Sequence, residues 1–341
     1  IDRVLEAYDP ALGAQSLRHT ATAIHAAGTP AAGNASLMRT TPVTLGYLHD
    51  PEALAHAART YSDLTHANPE ASEACILWNL AQRRAILSGE FDISGGLDWV
   101  PRQHQQYWDH LITQAEIGSP QDFAIRNGRV SQMVQTAWSA ISRSDQSGPE
   151  HFETALRMVI AAGGDTPTAA AITGSMLGAR WGVSAIPLEW RRHIHGWPGL
   201  RDVDLLRLVW EANAGNPWPS SFDGHPSATG ATAHPRDIGL WIDGTAGLRP
   251  LPPGIDAVVS LCPLGHEQSP RAPVAAGDHV NVWLIDSEDP AENPNLELVA
   301  DQTLKMLLRL RSEGKTVYMH CARGASRTAF IGALYGAHLG H

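Results

Sequence analysis

An all-helical N-terminal domain followed by a smaller α/β domain is the fold class this sequence predicts, and three observations predict it. Up to about residue 213, apolar residues recur at helical spacing in nearly every segment. Beyond about residue 236, strand-like runs alternate with helical ones. Between the two, Gly215-Asn216-Pro217-Trp218-Pro219-Ser220-Ser221 and the stretch from Gly224 to Pro235 are rich in Gly, Pro, Ser and Thr, the composition of a connecting segment. The expected division is a helical domain over 1–213, a linker over 214–235 and an α/β domain over 236–341.

In the helical part, Pro51 to Tyr61, Ala71 to Ser88, Val130 to Ser142, Glu150 to Ala162 and Thr168 to Trp181 carry the helical period, and Leu205 to Ala212 reads as the last helix. In the second part, Gly239 to Gly244, Ile255 to Cys262, Val280 to Ile285 and Thr316 to Met319 read as strands, and Arg327 to Leu339 as a helix. No internal repeat is present.

At 341 residues and 43% hydrophobic composition, each domain can bury a core. Twenty-five basic against 35 acidic residues leave a net charge of −10, which argues against a nucleic-acid partner. No apolar run approaches the length of a membrane span, so no membrane partner is expected. Cys75, Cys262 and Cys321 show neither a disulfide framework nor a Cys-x-x-Cys pair, which fits a reducing cytoplasm. The chain starts at Ile1 rather than Met, and 13 residues follow Thr328, so each domain is expected to lack a terminal part.

His320-Cys321-Ala322-Arg323-Gly324-Ala325-Ser326-Arg327-Thr328 is the most informative stretch. A predicted strand ends at a cysteine, a short loop containing a glycine follows, and a predicted helix starts at an arginine. Loop and helix N–H groups then converge on one point, an anion cradle that also lowers a thiol pKa. Arg327 offers a planar, two-pronged donor for phosphate oxygens. The plainer alternative is that Cys321 is a small buried apolar residue.

The stretch resembles the signature loop of the protein tyrosine and dual-specificity phosphatases. That resemblance implies Cys321 as nucleophile, a phosphate-binding loop of Ala322, Arg323, Gly324, Ala325, Ser326 and Arg327, Thr328 assisting the thiolate as leaving group, and His320 holding the loop. It implies an upstream acid, which is Asp286 by strand register or Asp289 by spacing, 35 and 32 residues before Cys321. It implies no cofactor, and as partner a phosphorylated protein or a small phosphomonoester.

The helical part has its own ordered set of motifs. They are Gly33-Asn34-Ala35-Ser36, Ser62-x-x-Thr65-His66-x-x-Pro69, Gly163-Gly164-Asp165-Thr166-Pro167-Thr168, Gly174-x-x-x-Gly178 and Ile186-Pro187-Leu188-Glu189-Trp190. Each alone is a helix stop, a cap or a close helix contact. In this order they resemble the ADP-ribosylglycohydrolase family. The resemblance implies a helical domain that binds ADP-ribose or an ADP-ribosylated protein at Gly33, Asn34, Ala35, Ser36 and His66. It also implies Mg²⁺ held by Asp165 and Thr168, at a site that is incomplete because Pro167 stands where the family has a second aspartate. The leading expectation is a hydrolase whose phosphomonoester chemistry lies in the C-terminal domain. The alternatives are an ADP-ribose-binding module that recruits the phosphatase domain, and a non-catalytic remnant.

Overall fold

The computed structural model describes residues 1–28, 32–221, 230–248, 250–268 and 274–340. The chain divides into two compact units, Ile1–Val183 and Ser184–His341.

The first unit is helical: α1 (Asp2–Glu6), α2 (Ala14–Ala26), α3 (Thr41–Gly46), α4 (Pro51–Asp63), α5 (Pro69–Ser88), α6 (Arg102–Ile117), α7 (Pro120–Ala124), α8 (Val130–Arg143), α9 (His151–Ala162) and α10 (Thr166–Trp181). Local chemistry sets the boundaries. Asp50 accepts the Glu52 and Ala53 N–H groups at the start of α4, and Asn68 accepts the Glu70 N–H at the start of α5. Each helix has Pro at its first position, where the missing N–H costs nothing. Gly89, in the left-handed conformation, ends α5. Helices α5 and α8 are buried on nearly every face, with Leu77, Trp78, Met133 and Ile141 at 0–1% exposure, so they form the centre of the unit. Polar side chains inside it pair with one another: Thr44 donates to Asn79, which donates to Thr40, and Gln82 donates to Ser175.

The second unit holds α11 (Leu188–Arg191), a short ribbon of β1 (His195–Gly196) and β2 (Leu200–Arg201), and α12 (Asp202–Ala214). A five-stranded sheet follows, built from β3 (Thr232–His234), β4 (Asp237–Gly244), β5 (Ala257–Ser260), β6 (His279–Asn281) and β7 (Val317–Cys321), in spatial order β3-β4-β7-β5-β6. Strand β3 is antiparallel to β4 and the other pairings are parallel. Two helices complete the unit, α13 (Leu296–Ser312) and α14 (Arg327–His338). Side chains on β7 alternate: Val317, Met319 and Cys321 join the core with Leu307, Leu310 and Ile331, while Tyr318 packs with Leu248, Val258 and Leu264 on the other face. Along α13, the buried positions Val299, Ala300, Thr303, Met306, Leu307 and Leu310 follow the helical period.

The unit boundary lies 30 residues before the expected end of the helical domain at 213. Leu188 sits in the same core as Leu240 and Val280, Arg192 pairs with Asp278, and the Trp218 indole donates to the Leu264 carbonyl. Ile186-Pro187-Leu188 and α12 therefore belong with the sheet. In the expected linker, residues 222–229 lie outside the described residues, buried Trp218 anchors its first part, and β3 occupies its end. Among the described residues, no helix is long and apolar enough to cross a membrane.

Candidate functional sites

In the helical unit, three predicted pieces come together. The Asn34 amide donates to Asp165 Oδ2 and to the Asn127 carbonyl, each at 2.9 Å. Asn127 in turn accepts the Asp165 N–H on its Oδ1 at 2.8 Å. That bond fixes which end of the Asn127 amide is oxygen, and leaves Nδ2 a buried donor with no partner among the described residues, at 1% exposure of the residue. Gly164, with φ +70°, passes against this knot; a Cβ there would lie 2.2 Å from the Ala124 carbonyl oxygen and 2.5 Å from Asn127 Oδ1. Gly33 pairs with Arg129 across an isolated bridge. Ser36 is fully buried beside Cys75, whose thiol burial pushes up to about 11, so this cysteine is not a reactive one.

His66 is buried and its ring lies near Gly33, where a Cβ would meet Nε2 at 3.4 Å. Burial first, then the Arg39 charge, lowers its pKa to about 4, so the ring is neutral at neutral pH. Thr65 accepts from Arg39 and sits 2.7 Å from His66 Nδ1.

In the second unit, β7 delivers Cys321 to the carboxyl edge of the sheet between β4 and β5, with Gly244 opposite Cys321 and Ser260 opposite His320. This is the kind of edge at which parallel α/β sheets hold ligands. The loop then turns through Gly324 at φ +75°, so close to β4 that a Cβ would lie 2.7 Å from the Asp243 carbonyl carbon. The Thr245 N–H binds the Ala322 carbonyl at 3.1 Å, holding the loop to the end of β4. Arg323, Ala325 and Ser326 are exposed, while Cys321, Ala322, Arg327 and Thr328 are buried.

Burial by itself raises the Cys321 thiol, but the Thr328 hydroxyl and N–H, the Arg327 charge and the Gly324 N–H outweigh it and hold the pKa below the ordinary thiol value. Arg327 Nη1 donates to the Leu284 carbonyl at 2.8 Å, Nη2 lies 3.4 Å from Asp286 Oδ2, and Nε is a buried donor with no partner among the described residues. Asp286 is 55% exposed at its side chain. It follows Ile285, whose N–H and carbonyl are both bound by the Asn293 side chain, at 2.9 and 3.0 Å. The two aspartates are used differently: Asp289 caps a short turn by accepting the Ala291 N–H at 2.9 Å.

His320 is fully buried, and burial lowers its pKa to about 3. Its Nδ1 lies 3.3 Å from the Cys321 carbonyl and its Nε2 lies 2.7 Å from Ser260 Oγ, which is 2.9 Å from His279 Nε2.

The ADP-ribosylglycohydrolase family model matches residues 5–216, more than half of the chain. The chain belongs to the ADP-ribosylglycohydrolase family. It is also similar to a solved structure described as an ADP-ribosylglycohydrolase-related protein complex, at 23% identity and a TM-score of 0.42, over 62% of this chain and 74% of that one. Among curated proteins, none matches this sequence.

In this ADP-ribosylglycohydrolase family member, the positions that the resemblance gives to Mg²⁺ make contacts within the chain. Asp165 accepts from Asn34, Thr168 Oγ1 lies 3.8 Å from the Met38 sulfur, and Pro167 offers no side-chain oxygen. Among the described residues, no three His, Cys, Asp or Glu side chains form a metal cluster. Sequence reasoning missed Asn127, Ser260 and His279. Asn127 was signalled only by the turn-forming pair Asn127-Gly128, and Ser260 and His279 only by polar residues at the ends of apolar runs.

Proposed function

We infer that this ADP-ribosylglycohydrolase family protein carries a cysteine-dependent phosphomonoesterase in its C-terminal unit. The observation that carries the reading is the Cys321 thiol, held below its ordinary pKa by Thr328, Arg327 and Gly324 at a strand-loop-helix junction. The Cys321 thiolate attacks phosphorus, an S–P bond forms, and the bond to the leaving oxygen breaks. Asp286 gives that oxygen its proton. In the second step the Asp286 carboxylate takes a proton from water, the water oxygen binds phosphorus, the S–P bond breaks, and Thr328 stabilises the departing thiolate. Arg327 holds the phosphoryl oxygens, and its Nε–H, which has no partner among the described residues, supports that role. Asp286 is preferred to Asp289 as the acid because it faces Arg327 while Asp289 is engaged in a turn. The substrate is a phosphorylated protein or a small phosphomonoester, and the chemistry needs no metal. The test is hydrolysis of an aryl phosphate in EDTA by the parent and by Cys321→Ser. Activity confined to the parent supports the reading, and equal activity in both rejects it.

A second reading concerns the helical unit: it binds ADP-ribose, or an ADP-ribosylated partner, and brings the C-terminal unit to it. The buried Asn127 Nδ2, without a partner among the described residues, favours this, since a buried N–H donor calls for an oxygen acceptor such as a phosphate or ribose oxygen. Calorimetry with ADP-ribose in EDTA and in Mg²⁺ tests it. Binding in both conditions without turnover supports recognition, and no heat in either rejects it.

A further inference from the structure

We propose that Ser260 and His279 are positioning residues for Cys321, holding the His320 ring through a one-way chain of hydrogen bonds so that it donates to the Cys321 carbonyl. The inference rests on the phosphomonoesterase reading for its meaning, but its geometry stands by itself. A carbonyl only accepts, so His320 Nδ1, at 3.3 Å from the Cys321 oxygen, carries the proton. His320 is neutral at neutral pH, so its Nε2 is then an acceptor, and the Ser260 hydroxyl 2.7 Å away must donate to it. That uses the only Ser260 proton. His279, at 2.9 Å, must therefore donate from Nε2 to Ser260 Oγ. Every direction in the chain follows from the carbonyl at its end.

The strands supply the precision. Ser260 is opposite both His320 on β7 and Asn281 on β6, so one hydroxyl at the end of β5 touches both neighbouring strands. Ser260 and His320 are fully buried, where a lost partner is costly. His279 is held neutral, at about 4, first by burial, with Asp202 raising it and Arg207 lowering it. His320 faces His279 and Arg327, which both act against its protonation. The consequence reaches the sulfur. A Cys321 carbonyl bound by His320 fixes the peptide that begins the loop, and so fixes the direction of the N–H groups that stabilise the thiolate. Without Ser260, the His320 ring is free to change tautomer or rotate, and that peptide loses its hold.

The readout is the rate of Cys321 alkylation by iodoacetamide against pH, with Cys321→Ser as the blank for Cys75 and Cys262. It follows the thiolate directly and does not require turnover. Ser260→Ala is expected to raise the alkylation midpoint by about one pH unit, the size expected for one lost buried hydrogen bond. It should also lower kcat on an aryl phosphate about tenfold with little change in KM. Ser260→Thr, which keeps the hydroxyl, should restore both, which a packing defect alone would not allow. His279→Leu should shift the midpoint in the same direction, and it decides the matter if Ser260→Ala does not fold. Midpoints equal to the parent's in the folded variants overturn the proposal. A shifted midpoint in a protein that hydrolyses no phosphate upholds the positioning chain and rejects the phosphomonoesterase reading instead.

Discussion

Arg327 and Asp286 face each other across the mouth of the cysteine loop, with Nη2 3.4 Å from Oδ2. The arginine belongs to the first turn of α14 and is anchored by the Leu284 carbonyl, two residues before the aspartate. The same guanidinium therefore touches the segment that carries Asp286. The two aspartates separate on this geometry. Asp286→Asn is expected to lower kcat about a hundredfold on a phosphomonoester with a poor leaving group, the usual worth of a positioned acid. Asp289→Asn, which removes only the turn bond to Ala291, should stay within a few-fold of the parent. The opposite ranking in steady-state kinetics would assign the acid to Asp289.

Arg327→Lys should cost about a hundredfold or more in kcat/KM, because an ammonium on a flexible stem does not replace a planar fork of donors. Wild-type rates in that variant would mean that phosphate is held elsewhere.

Gly324 is the position in the loop where no side chain fits. Alanine there faces both a φ of +75° and a contact of 2.7 Å with the Asp243 backbone. Gly324→Ala should destabilise the C-terminal unit by about 1–3 kcal/mol in urea unfolding and raise the Cys321 thiol pKa, since the loop must open to accept the methyl. Unchanged stability together with an unchanged thiol would show that the loop is looser than this geometry allows.

Asp237 ties β4 to two helices. It accepts from Arg311 at 2.7 and 2.8 Å and from the Tyr335 hydroxyl at 2.7 Å. Burial raises its carboxyl, but the Arg311, Tyr335 and Gly239 donors outweigh it and hold the pKa at about 2, below the ordinary 3.8. The folded value is the lower one, so the stabilisation is full above the ordinary value and disappears as pH falls from there towards 2. Asp237→Asn should therefore cost about 2 kcal/mol near neutral pH, and its difference from the parent should shrink in acid. A gap that stays constant across that range in urea titrations would assign the effect to packing.

The strand, loop and helix around Cys321 were legible because the signal is local: β-formers, a glycine and a helical period stand next to one another in the chain. The boundaries of α5, α8 and α10 were legible for the same reason, with Pro, Gly and apolar spacing all agreeing. Helix α6 was not singled out, since its first turns read Arg-Gln-His-Gln-Gln and only Trp108, Ile112 and Ala115 are buried along it. The run from Val280 to Ile285 reads as one strand, yet β6 ends at Asn281. Beyond it the Asn293 side chain replaces a strand partner for Ile285, and no period in the sequence encodes a side chain doing a backbone's work. Asn127, Ser260 and His279 escaped for a related reason. Each matters through partners far away in the chain, as Ser260 does through His320, 60 residues on. Ile186-Pro187-Leu188-Glu189-Trp190 lies within the family match, which runs to residue 216, and its Leu188 is buried with the sheet through partners that the local sequence does not encode.

The central claim is that Cys321 itself takes the phosphoryl group. It is tested most directly by quenching Asp286→Asn during hydrolysis of an aryl phosphate whose leaving group needs no proton. In that variant the proposed second step should be slowed while the first is not, so that the intermediate accumulates. The account predicts one phosphoryl group on the peptide that carries Cys321, seen by mass spectrometry and absent from Cys321→Ser. A phosphoryl group on another residue, or undiminished hydrolysis by Cys321→Ser, would contradict it.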